Sequence, residues 1–278
     1  MAYRIAVVQP RTVPEEREAN VKYAVEYIDR AAALGARVVC LPETYPGPWT
    51  PPIDYDPLPE LADAARRNGV HVIAGLIEPA ATPGEYYDSL VLLGPRGRET
   101  GRYRRIVPEG PWIYEGGAFW DFRYVAADRL PVFDVGDTAI GLLVCSEVYV
   151  PELARLLALG GAEIIFMPAG LWKGRQWDNW RVLMRARAIE NLAYTATCQN
   201  IIGTEGHHPG LAMICSPEDV VTESSGVGVL VADCDLTRLR ALRATQDPGD
   251  FGRDKACKAN ALTQWRRPDV FRRIGSEI

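Results

Sequence analysis

The hydrophobic pattern changes period several times along the chain, and the changes outline its elements. Tyr3 to Val8 is short and mostly apolar, as a buried strand is, and Gln9-Pro10 ends it. Thr12 with Glu15 three residues on, and Pro14 between them, reads as a capping box. Val21, Ala24, Val25, Ile28 and Ala32 then recur at helical spacing until Gly35. Ala36 to Leu41 is the next strand, broken by Pro42, so that Glu43 falls just past its end. Six prolines between Tyr45 and Pro59 enforce an irregular loop. Leu58 to Asn68 follows as a helix closed by Gly69, and His71 to Ile77 as a strand.

Tyr87 to Leu93 and Glu99 to Ile106 read as two strands joined at Gly94-Pro95-Arg96-Gly97. Residues 108–130, rich in glycine and aromatics, form a second long loop. Thr138 to Val144 is an apolar strand delivering Cys145, and Pro151 opens a helix that Gly160-Gly161 closes. A strand at Glu163–Met167, a helix at Trp177–Asn191 and a strand at Ala193–Gln199 follow. Two or three short strands lie between Leu211 and Cys234, and the tail beyond shows little periodicity. Strands alternating with helices point to an α/β fold of layered sheets with helices outside.

Composition narrows the class. The 278 residues suit a single domain, and 47% hydrophobic with 24% charged residues describes a packed chain rather than a disordered one. A net charge of −5 supplies no basic face for nucleic acid. No apolar run approaches the roughly 20 residues of a membrane span. Arg4, Gln9 and the charges from Glu15 leave no signal-peptide core, so the reading is a cytoplasmic protein. Cysteines at 40, 145, 198, 215, 234 and 257 lack the close pairs of a zinc site or a small disulfide scaffold. With three histidines and no Gly-rich phosphate loop after a strand, no metal and no cofactor are expected.

Functional groups in α/β folds gather beyond the C-terminal ends of strands. Glu43, Arg104-Arg105 and Cys145 all stand there. A thiol at a strand-to-helix turn lies near amides that favour thiolate and can receive an oxyanion. Taken alone, Cys145 also fits a buried structural thiol, and Glu43 a solvated loop carboxylate. Arg187 and Glu190, three apart on a helix, read as a structural pair. His207-His208 sits in a loop between Gly206 and Gly210 and reads as solvated.

Five segments occur in one order: Leu41-Pro42-Glu43, Tyr103-Arg104-Arg105, Ile140 to Glu147 (with Cys145), Pro151 to Arg155, and Arg187 to Asn191. In this the chain resembles the nitrilase, or carbon–nitrogen hydrolase, superfamily over about residues 3 to 240. The resemblance implies an αββα sandwich, one domain over 1–278, and a tail from about 245 packed on the domain or on a partner subunit. It also implies a Glu–Lys–Cys triad that cleaves an amide or nitrile through a thioester or thioimidate. Cys145 matches the nucleophile and Glu43 the general base; Glu115, with Glu109 as its rival, matches a second carboxylate in the following loop. Glu147 stands where an aspartate is common and reads as support or as a member of a buried ion pair.

The departure is at the lysine. The family reads Tyr-Arg-Lys where this chain has Tyr103-Arg104-Arg105, and no lysine occurs between Lys22 and Lys173. Three outcomes follow: Arg105 substitutes, Lys173 reaches in from its own loop, or hydrolysis is impaired and the chain acts by binding. Within the enzymatic reading, acyl transfer to an amine is the alternative to hydrolysis. Tyr45, Trp49, Trp112, Tyr149, Trp172 and Lys173 are the candidate substrate-binding residues, with Tyr114, Phe119, Trp120 and Trp177 adding aromatic density. Aromatics of this kind also fill subunit interfaces. The resemblance implies a homodimer or larger assembly, to which Val148–Leu157 contributes.

Overall fold

A computed structural model describes residues 2–13, 16–108, 123–170, 176–202, 210–244, 262 and 267–270. In chain order come β1 (Ala2–Gln9), β2 (Arg11–Thr12), α1 (Arg17–Ala33), β3 (Val38–Cys40), α2 (Leu58–Asn68), β4 (His71–Pro79), β5 (Glu85–Leu93) and β6 (Glu99–Arg104). Then follow β7 (Arg123–Tyr124), β8 (Val132–Asp134), β9 (Ala139–Leu142), a 3₁₀ turn over Cys145–Tyr149, α3 (Pro151–Leu159), β10 (Ile164–Phe166), α4 (Gln176–Asn191) and β11 (Tyr194–Thr197). The last are β12 (Ile201–Ile202), β13 (Ala212–Cys215), β14 (Val220–Ser224), β15 (Gly228–Asp235) and α5 (Leu236–Ala244).

One sheet runs β15-β1-β3-β4-β5-β6, with β7 added beside β5; the other runs β14-β13-β11-β10-β9-β8. The alternation of side chains along each strand decides what lies between them. Ile5, Val7, Val38, Cys40, Ile73, Leu90 and Leu92 face inward and meet Ile140, Leu142, Ile164 and Phe166 of the second sheet. Their neighbours Ala6, Val8, Val39, Leu41, Val72, Ala74, Val91 and Leu93 face outward and are covered by Ala24, Ile28 and Ala31 of α1 and by Leu61, Ala64 and Ala65 of α2. Helices α3 and α4 close the other side through Leu153, Leu157, Trp180 and Met184. The architecture is an αββα sandwich.

Three sequence expectations are corrected. The Thr12–Glu15 capping box does not form: Thr12 lies in β2 and donates its hydroxyl to Asn200 Oδ1 (3.0 Å), while α1 begins at Arg17. The entry to α1 is instead tied by Asn20, which accepts from Val13 N (2.9 Å) and donates to Val13 O (2.6 Å). The region read as one loop over 108–130 contributes β7. The region read as an aperiodic tail begins with α5, whose Leu236, Leu239 and Leu242 are buried. Glu163 fastens this helix by accepting from Arg240 Nε (2.7 Å) and from Thr138 (2.8 Å).

Candidate active site

The site is built where both sheets end. Leu41 leaves β3 hydrogen-bonded to Ile73 O (2.9 Å), and the chain turns at Pro42 to present Glu43. Glycine at position 75 permits this. A Cβ there would stand 2.3 Å from Thr44 N and 2.6 Å from Pro42 O, inside any tolerable contact. Gly75→Ala therefore has to push the Glu43 turn away from β4. The expected cost is about 1–3 kcal/mol of stability from overpacking, with about a 10²-fold fall in kcat from displaced geometry. Urea unfolding and steady-state kinetics on the same preparation check it. Asn200, beyond β11 in the second sheet, holds the turn from the other side by donating to Glu43 O (3.1 Å).

Cys145 enters from that second sheet. Its amide donates to Pro168 O (2.9 Å), and its φ of 51° lies in the left-handed region that a non-glycine residue adopts only when its surroundings enforce it. Glu147 enforces it. Its carboxylate accepts from Tyr103 Oη on β6 (2.7 and 2.8 Å) and from the amides of Ile106 (2.8 Å), Val107 (2.9 Å) and Val144 (2.8 Å). These bonds bind the turn after β9 to the turn after β6, across the two sheets. Burial raises the Glu147 carboxyl above its ordinary range, against the amides that favour its charge. Arg187 adds a hydrogen bond from Nε to Val148 O (3.0 Å) while pairing with Glu190 (2.8 Å). The pair foreseen on one helix face thus also anchors the 3₁₀ turn.

Arg105 joins the pieces. It is 2% exposed. Its Nε donates to Val107 O (3.1 Å), Nη1 to Glu43 Oε1 (3.3 Å) and Asp88 Oδ2 (3.2 Å), and Nη2 to Ser146 Oγ. Burial would lower its pKa, but the charges of Asp88, Cys145, Glu43 and Glu147 outweigh that and raise it. A guanidinium carries five N–H groups. Four are engaged among the described residues, and the fifth is on Nη2, beside Ser146.

Glu43, Arg105 and Cys145 are thus brought to one place from three chain segments. Glu115, Glu109, Trp112, Trp172, Lys173 and the His207-His208 pair lie outside the described residues. Tyr45 and Trp49 are corrected. Tyr45 is wholly buried in the outer core, its hydroxyl donating to Asn20 O (3.1 Å), and Trp49 packs on the same cluster. Both face α1 and α2 rather than the inter-sheet space that holds Cys145. Tyr149 is 45% exposed, with its ring edge-on to Trp180 at 6.2 Å.

Two residues escaped the sequence reading. Asp88, on the inward face of β5 and 2% exposed, contacts Arg105. Tyr124 of β7 is 7% exposed. Burial pushes its hydroxyl well up, reinforced by the charges of Asp88 and Glu43. The only signal for Asp88 was its parity with Leu90 and Leu92.

An αββα sandwich with a thiol, a carboxylate and a cation gathered at the ends of its strands defines the class of protein. The family model of carbon–nitrogen hydrolases matches residues 4–244. A deaminated glutathione amidase of Synechocystis is 31% identical over 258 residues, covering 87% of this chain and 94% of the relative. A nitrilase of Pyrococcus abyssi is 30% identical over 267 residues, covering 88% and 95%. A crystal structure of an amidase from Nesterenkonia superposes with a TM-score of 0.77 at 23% identity, covering 98% of this chain and 96% of that one. A variant of that amidase carries the acetamide moiety of fluoroacetamide on its active-site cysteine. The chain belongs to the carbon–nitrogen hydrolase family, whose members are enzymes acting on bonds between carbon and nitrogen.

Proposed function

We propose that this protein hydrolyses the C–N bond of a small non-peptide amide through a thioester on Cys145. The observation that carries the reading is the single guanidinium of Arg105, bonded at once to Glu43 and to Ser146, the residue after the thiol. Glu43 takes the thiol proton as Sγ forms its bond to the amide carbon. The oxyanion is received by the remaining Nη2 N–H of Arg105 and by amides of the turn. The C–N bond then breaks, the amine leaving with the proton held by Glu43. Water adds to the thioester, giving its proton to Glu43, and the carboxylic product departs as the proton returns to sulfur. In this reading Arg105 takes the lysine's place.

The test is a panel of short aliphatic amides and the matching nitriles, followed by ammonia release, with intact-mass detection of an acyl adduct on Cys145. Amide turnover with adduct at that residue is expected. Absence of both, with Cys145 open to alkylation, overturns the reading. Adding free amines separates hydrolysis from acyl transfer, because only transfer yields a new amide.

Tyr149, Leu156, Val182 and Ile189 expose large apolar surface around the 3₁₀ turn, α3 and α4, which supports self-association as a homodimer or larger assembly. Leu262 is buried against Ala158, Leu192 and Leu242, which supports a C-terminal segment packed on its own domain. No helix among the described residues is long and apolar enough to cross a membrane. Cys40, Cys145, Cys198, Cys215 and Cys234 are free thiols, which supports a reducing, cytoplasmic location.

A further inference from the structure

Beyond the cysteine, the glutamate and the arginine, the site holds a second fully enclosed carboxyl, Asp88. Its Oδ2 accepts from Arg105 Nη1 at 3.2 Å, and that same nitrogen donates to Glu43 Oε1 at 3.3 Å. Its backbone is tied to the same residue, Arg105 N donating to Asp88 O (2.8 Å). Its Oδ1 is buried with no donor against it among the described residues. That one nitrogen bonded to both carboxyls sets Asp88 and Glu43 side by side. Two carboxylates gathered on one nitrogen in a dry site repel each other, and a shared proton removes one of the charges. Charge agrees: with Glu43 and Asp88 both ionised, one guanidinium faces two negative charges in a space shared with the caged carboxylate of Glu147.

We propose that Asp88 is a positioning residue that carries a proton on Oδ1 and shares it with Glu43, while its Oδ2 fixes the orientation of Arg105. This rests on the hydrolytic reading above and extends it to the way arginine is accommodated. A broad guanidinium needs more acceptors than a lysine ammonium, and Asp88 supplies one without adding a net charge. Burial first, and the Glu43 charge next, drive the Asp88 carboxyl well above its ordinary range, with Arg105 opposing them. The other titratable groups facing the cluster are Tyr124 on β7 and Cys145 and Glu147 after β9. None of these supplies the missing donor to Oδ1.

The sign of the pH effect follows. The neutral acid is the working form, so activity is present below the raised Asp88 pKa. It is lost as pH rises through that value, when a second negative charge meets the forming thiolate and oxyanion. Asp88→Asn keeps a donor toward Glu43 and an acceptor toward Arg105 but cannot ionise. Its alkaline limb in kcat/KM is expected to move up by at least about one pH unit. Asp88→Ala removes both contacts, and kcat is expected to fall about 10²-fold with KM near the parent value. Infrared difference spectra of the parent against Asp88→Asn read the proton without turnover: a protonated-carboxyl band at neutral pH is expected in the parent and absent from the variant.

An unmoved alkaline limb in Asp88→Asn, or no such band in the parent, overturns the proposal. So does a loss in Asp88→Asn as deep as in Asp88→Ala, which would make Asp88 an ionised counter-ion. A parent that shows the band but hydrolyses no amide leaves the shared proton standing and removes the hydrolytic reading instead.

Discussion

Cys145→Ala is expected to lower amide hydrolysis by about 10⁴–10⁶-fold in kcat, the range for removing the nucleophile of a covalent mechanism. It should do so without unfolding the protein. Cys145 Sγ is one small buried group in a large inter-sheet core. The bonds that enforce its φ of 51° come from the backbone amide to Pro168 and from Glu147, and an alanine retains both. Stability should therefore change by no more than about 1 kcal/mol. Coupling of activity loss to stability loss would point to a structural thiol. Cys145→Ser sharpens the test. A hydroxyl occupies nearly the same volume but is far harder to deprotonate, so Glu43 would face a proton it cannot remove efficiently. Burst kinetics and intact mass on parent and variants decide the matter: an acyl adduct on the parent alone is expected. Equal turnover in Cys145→Ala would remove the covalent mechanism.

The parts of this site that could be read in the sequence were those placed by local rules. Pro42 ends β3 and puts Glu43 beyond it, the apolar run into Val144 delivers Cys145, and Arg105 follows β6; each needs only strand periodicity and a breaker. The layered α/β class was legible in strands that alternate with helices, whereas the αββα sandwich came only through the resemblance to carbon–nitrogen hydrolases. What failed depended on partners distant in the chain. Thr12 looked like a cap because a glutamate lies three residues on, but its hydroxyl is taken by Asn200, 188 residues away. Tyr45 looked like a pocket wall because it belongs to the aromatic-dense long loops, yet tertiary packing turns its ring to α1. Asp88 falls inside the strand read from Tyr87 to Leu93, where nothing local marks it as chemical. Only the arrival of Arg105 and Glu43 makes it part of the chemistry. The tail helix α5 was overlooked although its leucines recur every three residues, because arginines between them flatten the pattern.

Arg105→Ala is expected to carry the largest combined effect on activity and stability. The guanidinium is 3% exposed at its side chain and lies between carboxyls that are 12% and 2% exposed. Removing it leaves the Glu43 carboxylate and Asp88 in contact with no compensating charge. Breaking a buried pair from one side costs about 3–5 kcal/mol. The lower end, about 3 kcal/mol, is the expected loss by urea unfolding. In the proposed mechanism the base loses the cation that orients it, and the oxyanion loses its donor at the same time. A missing oxyanion donor alone costs about 10²–10³ in kcat. General-base catalysis contributes about 10²–10⁴, so kcat/KM should fall by more than about 10³ in this variant. Arg105→Lys separates charge from shape. Lysine restores the cation but cannot span Val107 O, Asp88, Glu43 and Ser146 together, since a point charge with three donors replaces a planar fork. Most of the stability should return while kcat stays about tenfold below the parent, measured across the pH profile. A lysine variant faster than the parent would show arginine to be a handicap at this position. A slower one shows that Arg105, Asp88 and Ser146 form a set adjusted to each other.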